Sequence, residues 1–218
     1  MIELLTWATP NGVRPSIMLE EVGLPYIVRL VDITAGAQFS SDFLTVSPNN
    51  KIPALIDDDG AEGRRVLFES GAILLYLAEK TGKLLASSGG QRDDALSWLF
   101  WGTTGLGPVL GRFMQQADVQ NDTTRSDPRG QEVTRLMHVL EKRLNELPYL
   151  ATVYSVADIA AFAWIKFALP TIMARLSEQL GSTPGIARWF ESINARSAVI
   201  RGLRAPKIRL HQRASDSE

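Results

Sequence analysis

The hydrophobic pattern of this 218-residue chain changes once, and that change constrains its fold more than any other feature. Up to about Thr81, short apolar runs of strand length alternate with helical stretches. Beyond about Ser88, the apolar residues recur at helical spacing. Such a chain divides into an α/β part and an all-helical part. In the first part, Ile2 to Trp7 reads as a buried strand. Pro15 to Val22 reads as a helix with proline in its first turn, stopped by Gly23 and Pro25. Tyr26 to Val31 is β-branched and aromatic, a second strand. A polar loop with a short helix covers 36–46. Ile52 to Ile56 and Val66 to Phe68 supply two more strands around the turn Asp57-Asp58-Asp59-Gly60. Ser70 to Lys80 is a helix with Ile73, Leu74, Leu77 and Ala78 on one face, and Gly82 is its C-cap. The order βαβ then ββα builds a small mixed sheet with helices on its faces.

The second part begins after a Ser/Gly-rich stretch at 84–90, which suits a domain boundary. The expected division is 1–83 for the α/β domain, 91–211 for the helical domain and 212–218 for a polar, frayed tail. Gln91 to Gln116 reads as one long helix that Gly105-Leu106-Gly107-Pro108 kinks or breaks. A polar loop follows at 123–130, then a helical stripe of Val133, Leu136, Met137, Leu140, Leu144 and Leu147. Ser155-Val156-Ala157-Asp158 reads as a capping box with Asp in place of the usual Glu. The helix that it opens is apolar almost all round and is expected at the centre of a core. Thr183-Pro184 caps a further helix carrying Ile186, Trp189, Phe190 and Ile193.

Composition removes several functions. Net charge is -1 with no basic or acidic block, so neither nucleic acid nor an anionic membrane is an expected partner. The chain has no cysteine, which excludes disulfides, thiolate metal sites and a cysteine nucleophile. That fits a reducing cytoplasm. Met1-Ile2-Glu3 carries an acid where a secretory signal needs basic charge, and no apolar run approaches membrane-spanning length. His138 and His211 have no partner at metal spacing, so no metal site is expected.

Three short segments could carry chemistry, and each has an ordinary alternative. Ile52-Pro53 opens a buried strand. A cis bond there would present the Ile52 backbone as a strand edge for a peptide-like ligand; a trans proline would merely start the strand. Glu69-Ser70-Gly71 stands at a helix start. Ser70 with the helix N–H groups suits a carboxylate, and Glu69 suits an ammonium, so the pair fits an α-amino acid end. The alternative is a capping serine beside a surface acid. Thr9-Pro10-Asn11-Gly12 joins the first strand to the first helix. Thr9 and Asn11 can both donate to a thiolate there, and the alternative is turn chemistry.

Taken together these residues resemble the glutathione transferases, most closely the bacterial nu class of glutathione-dependent disulfide-bond oxidoreductases. The resemblance is carried by Thr9-Pro10-Asn11-Gly12, by 19–26, by Gln38-Phe39, by 47–54 and by 68–78. In the second half it continues through Trp98-Leu99-Phe100-Trp101, Gly105-Leu106-Gly107-Pro108 and 155–160. It implies a thioredoxin-like α/β domain followed by an all-α domain, an active site in the cleft between them, and a symmetric homodimer. It further implies one or two bound glutathione molecules. Thr9 and Asn11 would lie at the glutathione sulfur and Gln38 at the glycyl end. Lys51, Ile52 and Pro53 would hold the peptide backbone, and Glu69 with Ser70 the γ-glutamyl end. An arginine near the start of the fifth helix would reach the partner subunit's site; Arg129 is the best match, and Arg125 is the alternative. Ser40 departs from the family pattern, which often has arginine there. The activity implied is reduction of small disulfides. Conjugation of electrophiles, with Phe113 and Met114 lining an apolar pocket, and a non-catalytic binding role are the alternatives.

Overall fold

The computed structural model of the protein describes residues 1–117 and 128–207, and these form two compact units. The first contains Met1–Leu84 together with the described residues from Ala195 onward; the second is Leu85–Asn194.

The first unit is built on a four-stranded sheet, β1 (Ile2–Thr6), β2 (Tyr26–Leu30), β3 (Ala54–Asp57) and β4 (Arg65–Phe68), in the order β2-β1-β3-β4. β1 runs parallel to β2 and antiparallel to β3, and β3 is antiparallel to β4. This is the mixed sheet expected from the strand order. β3 is buried throughout, as a central strand should be. One face packs Leu5, Ala54 and Ile56 with Val31, Phe43 and Val46. On the other face Leu4 pairs with Leu55, towards α1 (Pro10–Val22) and α3 (Ser70–Thr81), which pack on each other. Between β2 and β3 the chain makes a 3-10 turn at Ala37–Phe39 and a short helix α2 (Ser41–Leu44).

Two boundaries differ from the sequence expectation. α1 begins at Pro10, not Pro15. Thr9 is its N-cap and accepts from the Gly12 N–H at 3.1 Å, and Pro10 fills the first helical position, where its missing N–H costs nothing. Pro15 therefore sits inside the helix and cannot donate to the Asn11 carbonyl. β3 starts at Ala54, not Ile52, since Pro53 has no N–H to give to the ladder.

The C-terminal boundary also moves. The expected helical domain of 91–211 loses its end, because α9 (Ser197–Arg204) packs on α1. The Ser16 hydroxyl donates to the Gly202 carbonyl at 2.7 Å, and Arg196 makes a two-pronged ion pair with Glu21 at 2.6 and 2.8 Å. A Cβ on Gly202 would lie 2.5 Å from the Ile17 backbone, so glycine is what lets the helices approach. The tail at 212–218 and His211 lie outside the described residues.

The second unit is helical: α4 (Gly90–Phe100), α5 (Gly107–Ala117), α6 (Pro128–Glu146), α7 (Val156–Leu180) and α8 (Pro184–Asn194). The expected kink between α4 and α5 is a π-helical turn at Trp101–Leu106. Gly107 and Gly111 there face the Trp164 ring, which a Cβ would meet at 2.7 and 3.0 Å. α6 starts at Pro128, inside the stretch expected as loop. The capping box is formed as expected: Ser155 Oγ accepts from Ala157 N, and Asp158 Oδ2 accepts from Ser155 N at 2.9 Å. α7 is long and apolar enough to cross a membrane, contrary to the reading of the apolar runs, but 61% of its apolar window is buried inside the protein. Its place is the core of this unit. At the start of α8, Glu141 of α6 accepts from the Gly185 and Ile186 N–H groups at 2.9 and 2.8 Å.

Candidate functional site

A cavity of about 150 Å³ opens on the first unit, lined by six of the residues singled out in the sequence: Asn11, Lys51, Ile52, Pro53, Glu69 and Ser70. Ser47, Asn49 and Phe68 complete its wall. Three chain segments meet here because of the topology. The β1–α1 junction brings Asn11, the approach to β3 brings Lys51 to Pro53, and the β4–α3 junction brings Glu69 and Ser70. All three lie at one end of the sheet, the position at which open α/β sheets take ligands.

At the β1–α1 junction, the Thr9 hydroxyl oxygen caps α1, and the Thr6 hydroxyl donates to the Gly12 carbonyl at 2.9 Å. A Cβ on Gly12 would lie 2.0 Å from the Trp7 carbonyl oxygen, so this glycine is required by close approach of the strand end. The Pro-Asn-Gly sequence is thus the first turn of a helix and not a free turn. Asn11 Oδ1 accepts from Arg14 Nη1 at 2.9 Å. Thr9 is half-buried but is not among the cavity-lining residues.

At the second segment the Ile52-Pro53 peptide bond is cis. Ile52 stands ahead of the paired register of β3. The buried Ser47 hydroxyl donates to the Lys51 carbonyl at 2.8 Å and fixes the loop before it.

At the third segment Ser70 is the first helical residue and not the cap, which corrects the sequence reading. Glu69 holds the N-cap position at φ 70° and ψ 117°, with no side-chain capping bond. The Ser70 Oγ accepts from Arg14 Nη1 at 3.0 Å. The Glu69 carbonyl accepts from Ile73 N at 3.0 Å and so starts the helix.

Arg14 is the residue that sequence reasoning missed. It is 1% exposed, and burial lowers its guanidinium to about 9, against the pull of Glu69 in the other direction. Its signal in the sequence was a lone charge inside the run Val13 to Leu19, whose other residues are apolar, small or proline.

Other sequence candidates stand apart from the cavity. Gln38 lies in the 3-10 turn, and its Oε1 is buried without a hydrogen-bond partner among the described residues. Ser40, where the family pattern often has arginine, accepts from Phe43 N at 3.3 Å and caps α2. Arg129 is the second residue of α6 and exposed; Arg125 lies outside the described residues. Phe113 is 1% exposed beneath the Arg175 guanidinium, a core position and not a pocket wall. Among the described residues no cluster of acids and histidines could hold a metal ion.

The family model for the glutathione S-transferase N-terminal domain matches residues 9–80. The chain is 42% identical over 222 residues to the disulfide-bond oxidoreductase YfcG of Escherichia coli, covering all of both chains. It is 38% identical to the disulfide-bond oxidoreductase YghU of the same organism, over 92% of this chain and 73% of that one. Among solved structures, a glutathione transferase family member from Pseudomonas fluorescens with two glutathione bound superposes with a TM-score of 0.85 at 40% identity, covering 93% of this chain and 92% of that one. A glutathione transferase from Pseudomonas putida, with one glutathione disulfide bound per subunit, superposes with a TM-score of 0.86 at 37% identity, covering 94% and 91%.

Proposed function

The chain belongs to the glutathione transferase family, and on that footing we propose that it reduces small disulfides at the expense of glutathione, as a member of the nu class. The observation that carries this reading is a cavity built from two helix starts and a cis-proline segment, in a chain with no cysteine. Any thiol that reacts there must arrive with a ligand. The relatives named for disulfide-bond oxidoreduction, and those holding glutathione or its disulfide, supply the chemical class.

In this reading the γ-glutamyl carboxylate takes the Ser70 hydroxyl and the first N–H groups of α3, and Glu69 meets the ammonium. The Ile52 backbone pairs with the cysteinyl residue, and Lys51 and Pro53 border it. Gln38 serves the glycyl end through its side-chain amide. The sulfur lies at Thr9 and Asn11. Because Thr9 Oγ1 already accepts from Gly12, what it offers a thiolate is its own proton. The start of α1 favours the thiolate as well.

The thiolate attacks one sulfur of a disulfide. The disulfide bond breaks, a mixed disulfide with glutathione forms, and the leaving thiolate takes a proton. A second glutathione thiolate then attacks the glutathione sulfur of the mixed disulfide, releasing glutathione disulfide and the second thiol. Two glutathiones are oxidised, one disulfide is reduced, and their two protons end on the two product thiols. One or two glutathiones would therefore occupy the site during the cycle. Exposed Val66 on the edge strand β4 and exposed Phe100 on α4 support a homodimer, in which Arg129 would serve the partner subunit. A reaction that consumes glutathione belongs in a reducing cytoplasm.

The test sets reduction of 2-hydroxyethyl disulfide, coupled to glutathione reductase, beside conjugation of an aromatic halide on the same sample. Fast disulfide turnover with little conjugation is expected. The reverse would make the chain a conjugating transferase, and silence in both would overturn the reading.

A further inference from the structure

We infer that Arg14 is a positioning residue that sets the polarity of the site, committing both Asn11 and Ser70 to present donors to an anionic ligand. This rests on the glutathione reading above. A single nitrogen, Arg14 Nη1, lies 2.9 Å from Asn11 Oδ1 and 3.0 Å from Ser70 Oγ. A guanidinium can only donate, so both oxygens are acceptors toward it. That settles which end of the Asn11 amide is oxygen and leaves Nδ2 as the donor end. It also fixes the role of the Ser70 hydroxyl, whose proton is directed to another acceptor. Asn11 and Ser70 both line the cavity, one at the start of α1 and the other at the start of α3. The two ligand groups assigned to those places, a thiolate and a carboxylate, are both anions. One buried cation beneath the site thus serves both ends of the ligand.

The charge adds to the geometry. Arg14 remains cationic at neutral pH, because burial lowers it only to about 9. A positive charge held away from water favours the ionised form of a nearby thiol. If Arg14 merely tied α1 to α3, it would affect stability and leave the acidity of a bound thiol unchanged.

The experiment titrates the thiol of glutathione bound to the full-length protein by thiolate absorbance, in wild type, Arg14→Gln and Arg14→Lys. The wild-type thiol is expected to titrate about one pH unit or more below that of free glutathione. Arg14→Gln should raise it by about one pH unit, a loss of about tenfold in acidity, with the share of Thr9 and the start of α1 retained. Arg14→Lys, which keeps the charge, should stay within about threefold of wild type. A folded, glutathione-binding Arg14→Gln protein with the wild-type titration would overturn the inference while leaving the proposed function standing. Should Arg14→Gln not fold, the neutral and apolar Arg14→Met, which suits a buried site, takes its place: a loss of about tenfold in thiol acidity supports the role, and the wild-type titration overturns it. A wild-type protein that binds no glutathione would overturn both readings together.

Discussion

Glu69 occupies a backbone conformation that suits no side chain, φ 70° and ψ 117°, and such positions cost about 1–3 kcal/mol. In the proposed function its carboxylate meets the ligand ammonium, so stability and binding pull in opposite directions here. Glu69→Gly is expected to stabilise the fold by about 1 kcal/mol and to weaken glutathione about tenfold. Thermal unfolding and calorimetry read the two effects separately. A variant that loses stability and keeps affinity would contradict both assignments. Thr9 caps α1, and in the proposed function it also donates to the sulfur. Thr9→Ser keeps both and should leave turnover within about threefold. Thr9→Val loses both, costs about 1 kcal/mol of stability and should slow disulfide reduction about a hundredfold with a smaller change in glutathione affinity. At this scale the sequence was informative where a residue type has a short list of uses. Asn11 of the Thr-Pro-Asn segment lines one cavity with the Ile-Pro dipeptide and the Glu-Ser pair, while Thr9 is not among its lining residues. Arg14 left only the signal of a lone charge in an apolar run, because its partner Ser70 lies on another element and only the fold brings the two together.

At the scale of elements, caps decided the boundaries. The capping box at Ser155 was legible because both of its members lie within four residues. The start of α1 was misread because Pro15 looked like a first-turn proline, while Thr9-Pro10 carried the stronger start signal. Asp158 shows how much one cap can hold. It accepts from Leu150 N, Ser155 N, Ser155 Oγ and Trp189 Nε1, yet burial outweighs these donors and pushes its carboxyl up to about 6. A raised carboxyl means that the folded protein binds the proton more tightly than the unfolded chain. This group's contribution to stability therefore falls as pH rises from about 4 to about 6, by at most about 3 kcal/mol. Asp158→Asn sets an amide donor against donors and should cost about 2–4 kcal/mol, while abolishing that slope. Denaturant titrations from pH 4 to 7 would then show the gap between the two proteins narrowing as pH rises; a constant gap would contradict the assignment. Gly202→Ala tests the α1–α9 packing. Its Cβ meets the Ile17 backbone, which cannot move aside as a flexible side chain does, so a loss of about 1–3 kcal/mol is expected.

At the scale of the molecule, the single change in hydrophobic period was enough to divide an α/β part from a helical part, because a small mixed sheet and a helix cluster need different patterns. The return of 195–207 to the first unit was not legible. α9 has an ordinary helical pattern, and its place follows from Ser16, Glu21 and a glycine that matches the α1 surface. In the proposed function the reacting thiol is borrowed, and it would be chosen by γ-glutamyl contacts at Glu69 and Ser70. The most direct test compares disulfide reduction driven by glutathione with reduction driven by cysteinylglycine, at equal thiolate concentration. Acceleration is expected with glutathione alone, because cysteinylglycine lacks the end that Glu69 and Ser70 would hold. Equal acceleration with both thiols would contradict the site, and no acceleration with either would contradict the function.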